Sequence, residues 1–205
     1  MPINAPEIVV AINLSRKVGT PEASAASSSS RMVAKPKPSC VRAIVREMTI
    51  ESHDASVDII GSEPEKWKPE TRETADHSLP YITAIALIDG EVTEKQFQPE
   101  RFKDLAVWKF LENVKVERNA ELSALYPNAV ANIVHADLAD GRRLTRRVDY
   151  PTGHAKNPLK DSQVEEKFNV LVDPMLARDR ARKILDIVWK LDGAEDVNEL
   201  MKAAK

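Results

Sequence analysis

Residues 70–81 read "ETRETADHSLPY" and place Asp76, His77, Ser78 and Tyr81 within six positions. A carboxylate beside an imidazole can accept one ring N–H and leave the other nitrogen free to move a proton. A hydroxyl and a phenol nearby add a cap and a second proton donor. An apolar run, "ITAIALIDG", follows at once. Two readings stay open. The stretch is a helix start whose polar groups serve as caps, or it is one wall of an active site. Pro80 fits the first helical turn, which makes Ser78 the N-cap. His77 then sits just outside the helix, and Tyr81 lies one turn in, where the two can approach one face. A helix N-terminus also favours anions such as a substrate carboxylate.

A second polar cluster is "DYPTGHAKNPLKDSQVEEKF", with Tyr150, Gly153, His154, Lys156 and Asn157 between a strand and a helix. It is a functional loop, or a structural one stiffened by Pro151 and Pro158. His53 and His135 fall in strand-like segments and read as structural. No His, Asp or Glu set has metal-ligand spacing, so no metal is expected. Lys35 and Lys37 in "KPKPSC" read as solvated charges. Cys40 beside them has no evident partner base.

The elements around these clusters follow from period and punctuation. "CVRAIVREMTIES" predicts a strand near 44–52. "SEPEKWKPETRE" predicts a Pro-rich surface loop. The apolar run predicts a helix over about 79–88, ended by Gly90 in a left-handed cap. Thr93 caps a short helix in "TEKQF". "DLAVWKFLENV" is amphipathic, with Leu105, Trp108, Phe110, Leu111 and Val114 as expected anchors. "KVERN" is a short strand. "NAVANIVHADLADGRRLTRRVDY" predicts a hairpin turning at Asp140-Gly141, its second strand wet on one face. Helices follow at about 162–172, 175–191 and 195–204. Ser162 is the expected cap of the first, with Glu165 as its capping-box partner. Leu176, Ile184, Leu185, Val188 and Leu191 form the expected stripe of the second. Strand, helices, hairpin, helices is an α+β order, and no P-loop, GxGxxG, HExxH or GxSxG occurs.

The chain has 205 residues, 30 Lys and Arg against 32 Asp and Glu, and a formal charge of -2. That balance argues against nucleic-acid or membrane-surface partners. No apolar run approaches the roughly 20 residues that span a bilayer. "EIVVAINL" at residues 7–14 is too short and lacks secretory flanks. A single cysteine excludes an internal disulfide and a Cys-ligated cluster, and it points to a reducing, cytoplasmic setting. Residues 1–43 are rich in Ser, Ala and Pro and predict a disordered arm. The first 46 residues hold seven Lys or Arg and two Glu, so a mitochondrial transit peptide and the matrix are the alternative.

"EKWKPETRETADHSLPYITAIALIDG", "RFKD", "LYP", the hairpin "DG" and "PTGHAKNPLKDSQVEEKF" resemble the MmgE/PrpD family in order and spacing, over about residues 44–205. The closest type is 2-methylcitrate dehydratase. The resemblance implies a small α+β lid over 44–158. Residues 159–205 would be helices that in the family return to a large helical domain. It implies cofactor-free dehydration, decarboxylation or epimerisation of di- and tricarboxylates in a cleft between lid and helical domain. Tyr81 matches a lid tyrosine that lines the family's site, with His77 and Asp76 in the same motif. His154 and Lys156 are further substrate-binding candidates. "KPKPSC" is similar to the lid's opening motif and places its Lys at Lys35, with a Cys where the family has His. The family's other catalytic His, Asp and Lys belong mainly to the helical domain, which this sequence lacks. The expected enzyme is therefore a hydro-lyase acting on a tricarboxylic acid. It would work as a homodimer or paired with a missing helical domain. The alternative is a non-catalytic, partner-dependent carboxylate-binding module.

Overall fold

A computed structural model describes residues 44–205. Lys35, Cys40 and the expected arm over 1–43 lie outside the described residues. The chain divides into two compact units between Pro151 and Thr152.

The first unit is built on four strands: β1 (Val45–Ser52), β2 (Val114–Arg118), β3 (Asn132–Leu138) and β4 (Arg143–Val148). Their order is β2-β1-β3-β4, with β1 and β2 parallel and the other pairs antiparallel. Met48 pairs with Val114 and Ala136, and Ile50 with Val116 and Val134. The two-residue period therefore turns these apolar side chains to one face, the core. The other face carries charge pairs. Lys115 reaches Glu47 at 3.0 Å and Arg143 grips Asp137 at 2.6 and 2.7 Å. Gly141, at φ 86°, turns the β3–β4 hairpin as its Asp-Gly dipeptide predicts.

Between β1 and β2 the chain is mostly helical. α1 (Asp54–Ser56) runs into a π turn over Val57–Gly61. Then come α2 (Pro64–Trp67), α3 (Arg72–Asp76), α4 (Leu79–Asp89), a 3-10 turn over Glu94–Phe97, α5 (Pro99–Phe102) and α6 (Leu105–Leu111). α7 (Ala120–Leu125) follows β2. The helix expected over 79–88 is α4, and residues 79–88 are all buried. A helix that is apolar all round must lie inside. Its ends close as the sequence predicts. Ser78 accepts the Tyr81 N–H at 3.0 Å, and Gly90 caps at φ 77°. Thr93 caps the 3-10 turn.

Two expectations fail here. "SEPEKWKPETRE" is not a plain loop, because Pro64 starts α2 and Thr71 caps α3 through the Thr74 N–H at 3.1 Å. Leu105 is not an anchor: it is 74% exposed. The buried stripe of α6 is Val107, Phe110 and Leu111, an i, i+3, i+4 set from which Leu105 is displaced.

The second unit holds α8 (Asp161–Val172), α9 (Arg178–Val188), a 3-10 turn over Leu191–Gly193 and α10 (Asn198–Ala204). Ser162 lies inside α8 rather than capping it. The Gln163 side chain accepts the Lys160 N–H at 2.9 Å, and Glu165 instead accepts the Trp189 indole N–H at 2.8 Å. Of the expected α9 stripe only Ile184 is buried, while Val188 and Leu191 are exposed. Twelve large hydrophobic side chains are exposed among the described residues, and nine of them lie in this unit. It is short of an apolar cover.

Arg101 ties the end of α4 to the segment after it. Its guanidinium donates to both Asp89 oxygens at 2.9 and 2.6 Å and to Asp104 at 2.6 Å. Asp89 sits at the negative end of the α4 dipole, so the arginine offsets an unfavourable placement. Arg101→Met should lower unfolding free energy by about 3 kcal/mol by leaving two carboxylates unpaired. Arg101→Lys should recover only part of it, because ammonium cannot fork. Urea unfolding of the three proteins checks both.

Candidate functional site

Asp76 closes α3, His77 is its C-cap residue, and Ser78 opens α4. The tight junction leaves the Asp76 and His77 side chains outside the core, 38% and 64% exposed. His77 Nδ1 lies 2.5 Å from the Asp76 carboxylate and 3.1 Å from the Glu73 carbonyl. Both partners are acceptors, so Nδ1 carries a proton, and in the neutral ring Nε2 presents its lone pair. An exposed pair of this kind adds little stability. What it provides is an oriented imidazole.

The pair borders a cleft of about 420 Å³. Ile60, Leu79, Ile82, Val92, Phe97 and Val130 form its apolar walls. Ser56 and Asn132 are its other polar members, and among the described residues no Lys or Arg lines it. Asn132 is occupied: it accepts the Ser52 hydroxyl at 2.6 Å and donates to the Val130 carbonyl at 3.1 Å. Ser56 is oriented by His53. The Ser56 N–H donates to His53 Nδ1 at 3.3 Å, which leaves the proton on Nε2, 2.9 Å from Ser56 Oγ. That bond uses Ser56 as acceptor and frees its own O–H to donate. The cleft thus combines an oriented imidazole, a hydroxyl donor and apolar walls.

Tyr81 does not line this cleft. It is fully buried, its hydroxyl donates to the Gln96 carbonyl, and its ring tilts against Phe97 at 6.3 Å. Burial holds its pKa well above the ordinary value of 10. The expectation that His77 and Tyr81 approach one face is not met. Tyr81 points into the core, where it fastens α4 to the 3-10 turn. His154 and Lys156 belong to the second unit. There His154 Nδ1 accepts the Lys156 N–H at 3.1 Å, and the His154 carbonyl accepts the Asn157 N–H at 2.8 Å. Among the described residues no group of three His, Cys, Asp or Glu could hold a metal ion, and no helix is long and apolar enough to cross a membrane.

Sequence reasoning missed Ser56 and its partner His53. His53 is buried and stacks on Tyr126 at 4.7 Å. The available signal was a His three residues before a Ser at a strand end, a capping spacing. His135 is structural, as expected. It joins Glu51 on β1 at 2.7 Å to Thr145 on β4 at 2.8 Å.

Burial lowers the His53 pKa below 6.5, the nearby Asp54 opposing this in part. Hydrogen bonds from Asn119 and His135 lower the Glu51 pKa below 4.5. Both groups stabilise the fold above their ordinary pKa values and lose that contribution as pH falls through the folded ones. Urea midpoints should therefore drop below pH 6.5 and again below pH 4.5, and His53→Gln should flatten the first decline. Tyr81→Phe should cost about 1–2 kcal/mol by orphaning the Gln96 carbonyl, measured at a pH where Tyr81 stays protonated.

The MmgE/PrpD C-terminal domain family matches residues 32–193. The chain is 28% identical over 137 residues to cis-aconitate decarboxylase of Mus musculus, covering 67% of this chain and 28% of that protein. It is 26% identical over 157 residues to the cis-aconitate decarboxylase-like protein oryM of Aspergillus oryzae, covering 77% and 32%. It is 25% identical over 149 residues to 2-methylcitrate dehydratase of Salmonella typhimurium, covering 70% and 30%. The chain thus spans under a third of the length of these curated relatives. The family match takes in the Asp76–His77 junction, the four-stranded sheet and two helices of the second unit, and by it this chain belongs to the MmgE/PrpD family.

Proposed function

We propose that this chain supplies one wall of an MmgE/PrpD-type site performing hydro-lyase chemistry on a tricarboxylic acid, of the 2-methylcitrate dehydratase type. The observation that carries the reading is the Asp76–His77 pair opening on an apolar cleft in a chain of this family. In such a dehydration a base takes the proton from the carbon next to a carboxylate. The C–H electrons form the double bond, and the neighbouring hydroxyl leaves, protonated, as water. His77 Nε2 is the base in this reading, and Asp76 holds its tautomer and stabilises the imidazolium that forms. Ser56 donates a hydrogen bond to the bound acid. Tyr81 is a positioning residue that holds α4. Lys35, His154 and Lys156 are proposed as substrate-binding residues.

Among the described residues the cleft lining has no cation to anchor three carboxylates. The reading therefore includes a helical domain, or a second copy of the chain, completing the site. The cytoplasm is its proposed location, with the mitochondrial matrix as the alternative. A second reading, a partner-dependent carboxylate-binding chain without turnover, is favoured by the nine exposed hydrophobic side chains of the second unit.

The purified chain should show no turnover of 2-methylcitrate or cis-aconitate when the unsaturated product is followed by ultraviolet absorbance. Supplied with a polypeptide equivalent to the remaining length of its relatives, it should turn over. His77→Ala should then cost about 10²–10⁴-fold in kcat. Asp76→Asn should lower kcat while leaving KM near its starting value. Full activity in His77→Ala would refute the base assignment. Saturable binding with no turnover in any mixture would favour the second reading.

A further inference from the structure

Helix α6 has a second stripe besides the buried one of Val107, Phe110 and Leu111. Leu105, Trp108, Lys109 and Glu112 recur at i, i+3, i+4 and i+7 and so share a side. With Trp67 and Lys68 from the end of α2, and with the buried Leu111 and Val114, they line a second concavity of the first unit, of about 600 Å³. Leu105 is the most exposed large hydrophobic side chain of this unit. The Trp108 ring is fixed in place, because its Nε1–H donates to the Phe102 carbonyl at 2.8 Å. A mostly apolar groove of this volume falls in the range of small-molecule sites, about 300–1,000 Å³.

Charge selects the occupant. Lys68 Nζ lies over the Trp108 ring, 4.6 Å from its centre. The indole face that would receive a ligand cation is therefore taken by the protein's own ammonium. Among the described residues no carboxylate forms an ion pair with Lys68 or Lys109. Glu112 is the one acid of the lining, so the groove is net positive. Two ammonium groups not engaged in ion pairs, beside two indoles and an exposed leucine, suit a ligand with an anionic head and a hydrocarbon body. A polycarboxylate has no apolar surface to lay against the indoles. A hydrocarbon without a head leaves both lysines unused.

We propose that the Trp67–Trp108 groove binds a free monocarboxylate with an alkyl chain of medium length, its head held by Lys68 and Lys109 and its chain laid along Trp67, Trp108 and Leu105. The inference is independent of the lyase reading. The probe is ω-bromodecanoate, whose bromine quenches tryptophan fluorescence on contact. It is titrated, below the concentration at which it forms micelles, into the full chain carrying Trp189→Phe, in which only Trp67 and Trp108 report. Quenching should saturate. Leu105→Asp, at an exposed position, should weaken binding about ten-fold. Lys68→Gln together with Lys109→Gln should weaken it roughly five-fold. The alcohol ω-bromodecanol should bind the unmutated groove as weakly as the acid binds that double variant. Equal affinity for alcohol and acid, affinity unchanged in either variant, or quenching that never saturates would overturn the proposal. A dimer that forms without the probe and is abolished by Leu105→Asp would assign the groove to a second copy and overturn it equally.

Discussion

A helix with no polar face has to be enclosed on every side, and α4 imposes that demand on the whole first unit. Residues 79–88 are all buried, so the sheet, α2, α6 and the segment carrying Phe97 and Phe102 gather round it. Its backbone ends must be satisfied inside that shell. Ser78 does this twice, accepting the Tyr81 N–H and donating its hydroxyl to the Lys66 carbonyl. Gly90 closes the other end, where Arg101 neutralises Asp89. Few of these contacts can be lost singly, because each one satisfies a group that water reaches poorly or not at all.

The Asp76–His77 pair is a by-product of the same demand. α3 must stop and α4 must start within two residues, and the junction faces outward. Asp76 and His77 occupy it, adjacent in sequence and free of the core. Their geometry is inherited from the rigid helix they precede, a better support than a mobile loop. The hydrogen bond from Tyr81 to Gln96 belongs to this support. Removing it would loosen the helix on which His77 depends.

What the sequence revealed follows a physical divide. Caps and turns were legible because their chemistry is local: Ser78, Thr93, Gly90 and the Asp140-Gly141 hairpin stand where their side chains or φ values demand. So was the α+β order, since both periods are strong. Leu105 and Ser162 were misread for different reasons. A helix of seven residues shows too few turns for its stripe to be phased, and the N-cap of α8 is Lys160, two residues before the expected cap, where the Gln163 side chain reaches back to the Lys160 N–H. Asp76 and His77 as a hydrogen-bonded pair were readable from adjacency. The burial of Tyr81 was not. Spacing along a helix gives the direction of a side chain, whereas the Gln96 carbonyl that claims its hydroxyl comes from fifteen residues away. The Ser56–His53 bond was hidden for the opposite reason, since its short range made it look like an ordinary cap.

The π turn before α2 packs against β2. A Cβ built on Gly61 would stand 3.1 Å from Val116 Cγ1. Ile60, the residue before it, forms part of the apolar wall facing His77. Side-chain bulk at 61 and at 116 is thus a shared quantity: enlarging either pushes the turn outward unless the other shrinks. The width of the cleft thus depends partly on a strand residue outside its lining. Variation at position 116 is therefore a route by which the cleft could be widened or narrowed with every polar group left in place.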